Sequence, residues 1–385
     1  MNRKHIGLIL FLLIMIFTLP AISLAMESTD KQTADQNDYT GLSERVMKLE
    51  KTVNTPPDYS KWFDRISISG VLEAEAGYEG IDYEDPGLED ENTSDAVLAT
   101  MELGVDAEIS DNISGHVLFL WEEDDTEPID LDEGFITIFG GDVTPLYLSA
   151  GKMYVPFGNF ESTMISDPLT LELAETRESA ILVGFESEGF YGSVYVFNGD
   201  IDEDGEDSHI DNFGANAGFT IENDDFSLDA GVSYINNLLD SDGLGDCVAE
   251  TMDADDTALS EYVAGFGAHA IVRAGPVMLI GEYITALDEP EFISDVPGAG
   301  AKSEEISAYN AEMAYTFDLG GKETTVGIAY QGTDKAGDFL PEIRILGAIS
   351  VGIFDSTTLA LEYLHDEFDN DDEVDTVTAQ LSIEF

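Results

Sequence analysis

From Ile66 onward, apolar and polar residues alternate with a period of two. Apolar side chains occupy every second position in 101–109, in 309–317, in 343–353 and in the last segment, which ends on Phe385. Strict alternation predicts strands with one apolar and one polar face. Nearly every charge falls on the polar face, and aromatic residues cluster near the segment ends. This arrangement is typical of the lipid-facing strands and interfacial girdles of membrane barrels.

The connections between these segments alternate in length. Short turns such as Asp111-Asn112 and Gly275-Pro276 alternate with long acidic loops, near 80–95, 122–130, 156–177, 199–211, 237–260, 287–305, 333–342 and 366–374. Seven turns and eight loops join sixteen strands, with both chain ends on the short-turn side. Bacterial outer-membrane barrels have this plan. A soluble β-sandwich also alternates, but its connections need not alternate in length.

The predicted fold is therefore all-β, a transmembrane antiparallel up-and-down β-barrel of about sixteen strands. It covers residues 66–385 and is preceded by a short coiled-coil-like helix. A barrel of this size has a water-filled interior, so its function should depend on the lumen-facing residues and on any loop that narrows the bore. We expect it in the outer membrane of a Gram-negative bacterium, and we expect the terminal Phe385 to be an assembly signal for the barrel assembly machinery.

Two segments leave the strand faces undecided. In 146–155, a lumen-facing Lys152 would bring the apolar Leu146, Leu148 and Ala150 to the lumen with it. Either a bulge re-aims that strand or these side chains pack beneath the following loop. In 190–198, aromatic residues on one face oppose valines on the other.

The first twenty-five residues have the order of a secretory signal peptide. Arg3 and Lys4 precede an apolar run over 6–17, and Ser23-Leu24-Ala25 offers small residues for cleavage after Ala25. Residues 26–40 are polar, and we expect a disordered periplasmic segment there.

A helix is predicted over 41–55, because Leu42, Val46, Leu49 and Val53 follow a coiled-coil spacing that Pro56-Pro57 ends. Two interpretations stay open for this helix. Three copies could meet along the seam in a homotrimer, or the helix could pack on the barrel rim.

The net charge is −65, and only seven basic residues lie from Ile66 onward: Lys152, Arg177, Arg273, Lys302, Lys322, Lys335 and Arg344. Such a surface repels nucleic acid and concentrates cations. The single Cys247 cannot form an intramolecular disulfide. The scattered histidines show no nucleophile–base spacing, so we expect no enzyme and no required cofactor.

The third long loop, 156–177, mixes apolar anchors with charges, so it can fold inward as a constriction. The candidate pore residues are Lys152, Glu161, Asp167, Glu172, Glu175, Arg177, Glu178, Arg273 and Arg344. Facing charges of opposite sign at a narrow point would filter ions. The alternative is that the basic residues only pair with neighbouring acids.

Residues 151–158 (GKMYVPFG), continued by 166–173 (SDPLTLEL) and 175–178 (ETRE), resemble the legiobactin-uptake (LbtU-type) siderophore porins. The resemblance implies a porin-like barrel without a plug domain, through which ferric siderophores enter. An anionic chelate would be repelled by the acidic loops. Two alternatives therefore stay open: a general cation-favouring porin, and a structural surface barrel whose loops bind calcium or the cations that bridge lipopolysaccharide.

A second signal lies in the loop 199–211. Asp200, Asp202, Asp204 and Gly205 fit the D-x-D-x-D-G pattern of a calcium loop, and Asp211 falls at its twelfth position. Chance is the rival explanation in so Asp-rich a chain, and strands rather than helices flank the loop. The remaining expected partners are outer-membrane lipid, lipopolysaccharide and small solutes.

Overall fold

The computed structural model describes residues 64–385 except 124–125, 127, 206–208, 256–257, 294–300, 303 and 338. Residues 65–385 form one compact unit. The signal peptide predicted over 1–25, the polar segment 26–40 and the helix predicted over 41–55 lie outside the described residues.

Sixteen antiparallel strands close into one barrel. They are β1 (Ile66–Asp82), β2 (Glu91–Ser110), β3 (Ile113–Trp121), β4 (Asp130–Phe139), β5 (Leu146–Tyr154), β6 (Arg177–Ser187), β7 (Phe190–Phe197), β8 (Asn212–Asn223), β9 (Phe226–Ile235), β11 (Gly265–Ala274), β12 (Val277–Ala286), β15 (Ser307–Asp318), β16 (Glu323–Asp334), β17 (Ile343–Phe354), β18 (Thr357–Glu367) and β19 (Glu373–Glu384). The predicted fold class and strand number are confirmed.

Three further strands form a small separate sheet among the long loops: β10 (Ala258–Leu259), β13 (Glu291–Ile293) and β14 (Ala301–Lys302). Two α-helices, α1 (Leu169–Ala174) and α2 (Asp242–Asp255), and the 3-10 turns Gly141–Val143 and Leu238–Asp240 complete the elements. The sequence pattern did not predict either helix within its loop. Neither described helix is long and apolar enough to cross a membrane.

The first and last strands close the barrel. β1 pairs with β19 from Val71 opposite Glu384 to Asp82 opposite Glu373. Phe385 extends this pairing, because its backbone exchanges two hydrogen bonds with Gly70, of 2.9 and 3.1 Å. The strand ends joined by short turns all lie at one end of the barrel, together with Phe385. The predicted loop 80–95 is shorter than expected, since β1 and β2 stay paired as far as Ile81 opposite Glu91.

The strand register shows which side chains of 146–155 point into the barrel. Leu182 is 6% exposed and pairs with Ser149, whereas Ile181 is 46% exposed and pairs with Ala150. Ser149 therefore lies on the inner face and Ala150 on the outer face. Lys152 shares the outer face with Ala150, which corrects its assignment to the pore. The apolar side chains of that face point to lipid, and Lys152 lies at its long-loop end.

Apolar side chains also fill part of the interior, beneath the long loops. Tyr195 and Phe197 point inward and join a buried cluster with residues of the loops, among them Phe157, Leu169, Leu173, Leu238, Leu239 and Leu259. This cluster explains two of the inward aromatic residues of 190–198, Tyr195 and Phe197, which pack under the loops. The third, Tyr191, is half-buried and donates its hydroxyl to Asp229 at 2.9 Å. One side of the bore is thus occupied by protein.

Gly151 provides a test of the β4–β5 register. Its φ is +142°, and a Cβ there would overlap the backbone of Gly134 and Phe135. A Cβ on Gly115 of β3 would meet no atom within 4 Å. We expect Gly151→Ala to cost about 1–3 kcal/mol and Gly115→Ala to be neutral. The urea midpoint for loss of the compact band in unheated SDS gels measures both, and equal midpoints would contradict the strain.

Candidate functional site

The loop between β5 and β6, residues 155–176, folds into the barrel interior. Its short helix α1 follows Pro168, whose fixed φ suits a helix start, and ends where Glu175 becomes extended. Leu169 and Leu173 of α1 are fully buried against the inner wall. We call residues 155–176 the constriction loop.

A loop that packs against the inner wall turns some of its backbone N–H groups away from the water of the bore, and those groups need protein acceptors. Three glutamates of the inner wall provide these partners: Glu282 on β12, Glu312 on β15 and Glu362 on β18. They are 6%, 5% and 2% exposed. We call them the anchoring glutamates.

Each anchoring glutamate binds one stretch of the constriction loop. Glu282 accepts the N–H of Asn159 at 2.7 Å on one oxygen and the N–H of Phe160 at 3.2 Å on the other. Glu312 accepts the N–H of Thr163 at 2.7 Å. Hydroxyl groups complete both sets, from Thr170 on Glu282 and from Ser162 and Thr163 on Glu312.

The third anchor repeats this arrangement. Glu362 accepts the N–H of Ile165 at 2.6 Å and that of Ser166 at 3.1 Å, together with the Ser166 hydroxyl at 2.6 Å. Beyond it, the side-chain oxygen of Gln331 accepts the N–H of Leu169 at 3.0 Å. A hydrogen bond to a charged group contributes about 1.5–3 kcal/mol, so the wall holds the loop at successive points between Asn159 and Leu169.

The predicted pore cations are all paired. Arg273 forms an ion pair with Glu161 of the loop. Arg344 binds Asp366 through two hydrogen bonds, of 2.8 and 2.9 Å, and donates a third, of 3.3 Å, to the carbonyl of Asp167. Arg273 and Arg344 lie on the inner face, as their parity predicted.

The two cations that flank the loop pair with acids at the start of β4. Arg177 forms an ion pair with the buried Asp132, and its guanidinium lies 5.9 Å from the centre of the Tyr154 ring. Lys152 donates to the carbonyl of Leu131 at 3.1 Å and lies 3.5 Å from Asp130. The structure therefore shows the pairing weighed as the alternative in the sequence, with each candidate cation beside a carboxylate.

The predicted loop acids lie in an acidic environment. Burial raises the pKa of Asp167, and Glu122, Glu73 and Glu75 add to the rise while Arg344 opposes it. The last two glutamates belong to β1 and Glu122 follows β3, so Asp167 faces the part of the wall that the constriction loop does not cover.

The other loop acids extend the acidic surface. Burial raises the pKa of Glu175 to about 8, with Asp242, Asp167 and Asp132 contributing. Burial also raises the pKa of Glu172, and Asp167 contributes again. Glu178 begins the inner face of β6, opposite Met153.

Three residues of the predicted calcium loop make other hydrogen bonds, two of them through the backbone only. The N–H of Asp200 donates to Asp240 at 2.7 Å, the N–H of Asp204 donates to the carbonyl of Leu259, and Asp211 accepts the hydroxyl of Tyr262 at 3.2 Å. Across the described part of the chain, no three His, Cys, Asp or Glu side chains group so as to hold a metal ion. A site formed by Asp200, Asp202, Asp204 and Asp211 stays a prediction.

Sequence reasoning missed the anchoring glutamates. Each is one inward acid in a strand whose alternation is ordinary, so nothing in its own segment distinguishes it from an acid that lines water. The available signal was indirect: a loop predicted to fold inward carries many N–H and hydroxyl donors, and the wall opposite must provide acceptors.

No family model matches the sequence. The chain is 32% identical over 310 residues to a UPF0422 protein of Coxiella burnetii, a match that covers 78% of this chain and 64% of that protein. It is 27% identical over 331 residues to a UPF0422 protein of Legionella pneumophila, covering 78% of this chain and 59% of the relative. The chain thus spans less than two thirds of the length of these relatives.

Solved outer-membrane proteins share the fold. The outer membrane channel DcaP of Acinetobacter baumannii and Salmonella typhi OmpF both align with TM-score 0.55, at 14% and 10% identity, each over 83% of this chain and 97% of the other. Pseudomonas putida OprB aligns with TM-score 0.54 at 8% identity, over 93% of this chain and all of its own. The fold is that of porin-like channels.

Glu312→Gln tests the anchoring. The amide replaces one carboxylate oxygen by a donor that faces the loop's own donors, so at least one charge-assisted bond of about 1.5–3 kcal/mol is lost. We expect amide exchange in the loop peptide 157–168 to rise about tenfold or more, with flickering single-channel currents.

Glu73→Gln is the matched control for this test. It removes the same charge from the inner face, but Glu73 makes no hydrogen bond with the constriction loop among the described residues. If the loop peptide 157–168 exchanged alike in both variants, Glu312 would not be an anchor.

Proposed function

We propose that this protein is a passive outer-membrane channel for small hydrophilic solutes and that it favours cations. The carrying observation is the constriction loop, which the anchoring glutamates hold against one side of the bore. The remaining passage lies between Asp167 on that loop and Glu73, Glu75 and Glu122 opposite. This function rests on the arrangement of charges in this chain, while the likeness to solved channels supports the fold.

Because the cations are paired, the net charge along the passage is negative. Arg273, Arg344 and Arg177 each have a carboxylate partner, so their charges are largely cancelled. The acidic residues of the passage outnumber these arginines. Rings of carboxylates at a narrow point, where water is limited and the dielectric is low, attract cations and exclude anions.

Location and partners belong to the same proposal. A signal peptide over 1–25 would export the chain, and the terminal Phe385 would be recognised by barrel assembly machinery. The barrel would then lie in outer-membrane lipid with its acidic long loops outside, near lipopolysaccharide. The segment 41–55 would join three copies in a homotrimer.

A siderophore is the second candidate cargo. The resemblance of 151–178 to siderophore porins supports it, and an acidic passage would admit a neutral or cationic iron chelate more readily than an anionic one. Uptake of labelled ferric chelates of each charge, in cells with and without the gene, separates the candidates. Unchanged uptake of all three would leave a general cation-favouring channel.

The reversal potential in a KCl gradient tests the selectivity. Because the pKa of Glu175 is raised to about 8, this carboxyl is neutral below that pH and charged above it. Cation preference should therefore rise as the pH increases from 6 to 9. Glu175→Gln should remove the part of the rise centred near pH 8.

Two outcomes would contradict this selectivity. Preference for chloride at every pH would show that the basic residues govern the passage. That result is not expected if the arginines are paired with carboxylates. A failure of the purified protein to form stable channels in planar bilayers would leave the structural surface barrel.

A further inference from the structure

Three buried polar side chains beneath the long loops each carry at least one atom without a hydrogen-bond partner among the described residues. Asn212 and Asn237 are 0% exposed and Asp240 is 6% exposed. Within the described residues, both side-chain atoms of Asn212, Oδ1 of Asn237 and Oδ2 of Asp240 make no hydrogen bond. Leaving one such group unsatisfied costs about 1–3 kcal/mol, more for a charge. A cluster of such atoms is explained either by ordered water or by a bound ion.

The backbone fixes where these oxygens point. The other oxygen of Asp240, Oδ1, accepts the N–H of Asp200 at 2.7 Å and that of Ile201 at 2.8 Å. The amide nitrogen of Asn237 donates to the carbonyl of Ile201 at 3.4 Å. These bonds orient Asp240 and Asn237 around the same backbone segment, and they leave one oxygen of each free for a ligand.

Gly199 shows where Asp240 and Asn212 approach each other. A Cβ on Gly199 would overlap both Oδ2 of Asp240 and the side-chain amide of Asn212. These two groups therefore converge on the same small volume, which only a glycine at 199 leaves open. Either end of the Asn212 amide can be turned towards it, since the amide makes no hydrogen bond that fixes its orientation.

The ionisable groups nearest to this volume are carboxylates. Asp240 has no ion-pair partner in the described parts of the chain, and Asp200 and Asp202 are nearby carboxylates. A buried carboxylate without a cation or a full set of donors is unfavourable. Carboxylate and asparagine oxygens are the ligands that calcium prefers.

We propose that Asp240, Asn212 and Asn237 bind one calcium ion between the loop that follows β7 and the loop that follows β9. Oδ2 of Asp240 and the two amide oxygens are the protein ligands, and water completes the coordination. This site differs from the sequence motif of Asp200, Asp202, Asp204 and Asp211, whose side chains it does not use. It is independent of the proposed transport function.

The ion would stabilise the outer side of the constriction loop. Ser241, next to Asp240, donates its hydroxyl to the carbonyl of Leu173 in α1 at 2.8 Å. The N–H of Asp242 donates to the carbonyl of Glu175 at 2.8 Å. An ion that holds the turn at Asp240 would therefore also hold the hydrogen bonds from Ser241 and Asp242 to the constriction loop.

Calorimetry with calcium on the folded full chain in detergent tests the site. A chain this acidic also binds cations diffusely, so the titration is done in about 0.15 M NaCl, which screens exposed charges. We expect one saturable site per chain, with a dissociation constant of the order of 10⁻⁴ M. Asn212→Leu should weaken calcium binding at this site at least tenfold. Because this substitution leaves the net charge unchanged, it should not alter diffuse binding of cations.

Two further variants complete the design. Asp240→Asn, which is isosteric and keeps an acceptor for Asp200 and Ile201, should also weaken binding at least tenfold, and it serves if Asn212→Leu does not fold. Asp204→Asn is the control, because Asp204 is exposed and belongs only to the sequence motif. The compact band in unheated SDS gels reports folding of each variant.

Three results would overturn the proposal. The first is no saturable calcium binding, which would mean that ordered water fills the volume. The second is unchanged binding in the folded Asn212→Leu and Asp240→Asn variants. The third is loss of binding in Asp204→Asn alone, which would place the ion in the sequence motif.

Discussion

The structure depends on one constraint: a loop folded into the barrel must have its backbone donors satisfied by the wall. Glu282, Glu312 and Glu362 meet that requirement, each with two or more donors from the constriction loop. A neutral acceptor could make the same contacts more weakly. A carboxylate accepts donors at both oxygens and binds each more strongly, so three side chains determine the position of the loop.

That position also determines the electrostatics of the passage. Because the loop lies against β12–β18, the bore remains open towards β1–β3, whose inner acids then face Asp167. Each arginine forms an ion pair: Arg273 with Glu161, Arg344 with Asp366 and Arg177 with Asp132. The chain has few cations, and pairing leaves the acids of the inner face in excess. The proposed preference for cations would therefore follow from the position of the loop.

The features that depend on periodicity could be predicted from the sequence. Alternation and the lengths of the connections were sufficient for the barrel, its sixteen strands and the end at which Phe385 lies. Parity also placed Arg273 and Arg344 inside. Parity left the faces of 146–155 undecided, because apolar neighbours are compatible with either lipid or a packed interior. Only the pairing with β6 shows that Lys152, a candidate pore residue, lies on the outer face. The anchoring glutamates and the cluster around Asp240 depend on contacts between distant segments, which periodicity does not encode.

An engineered disulfide between loop and wall would show whether the loop lies where the anchoring glutamates hold it. A Cβ on Gly327 of β16 would touch the Thr163 side chain of the constriction loop, so cysteines at 163 and 327 should bond upon mild oxidation in a Cys247→Ser background. We expect this bond in the folded barrel, and none between cysteines at 163 and 281, since Gly281 lies on the outer face between the inward Ile280 and Glu282. Free thiols at 163 and 327 after oxidation would refute a loop held against this wall.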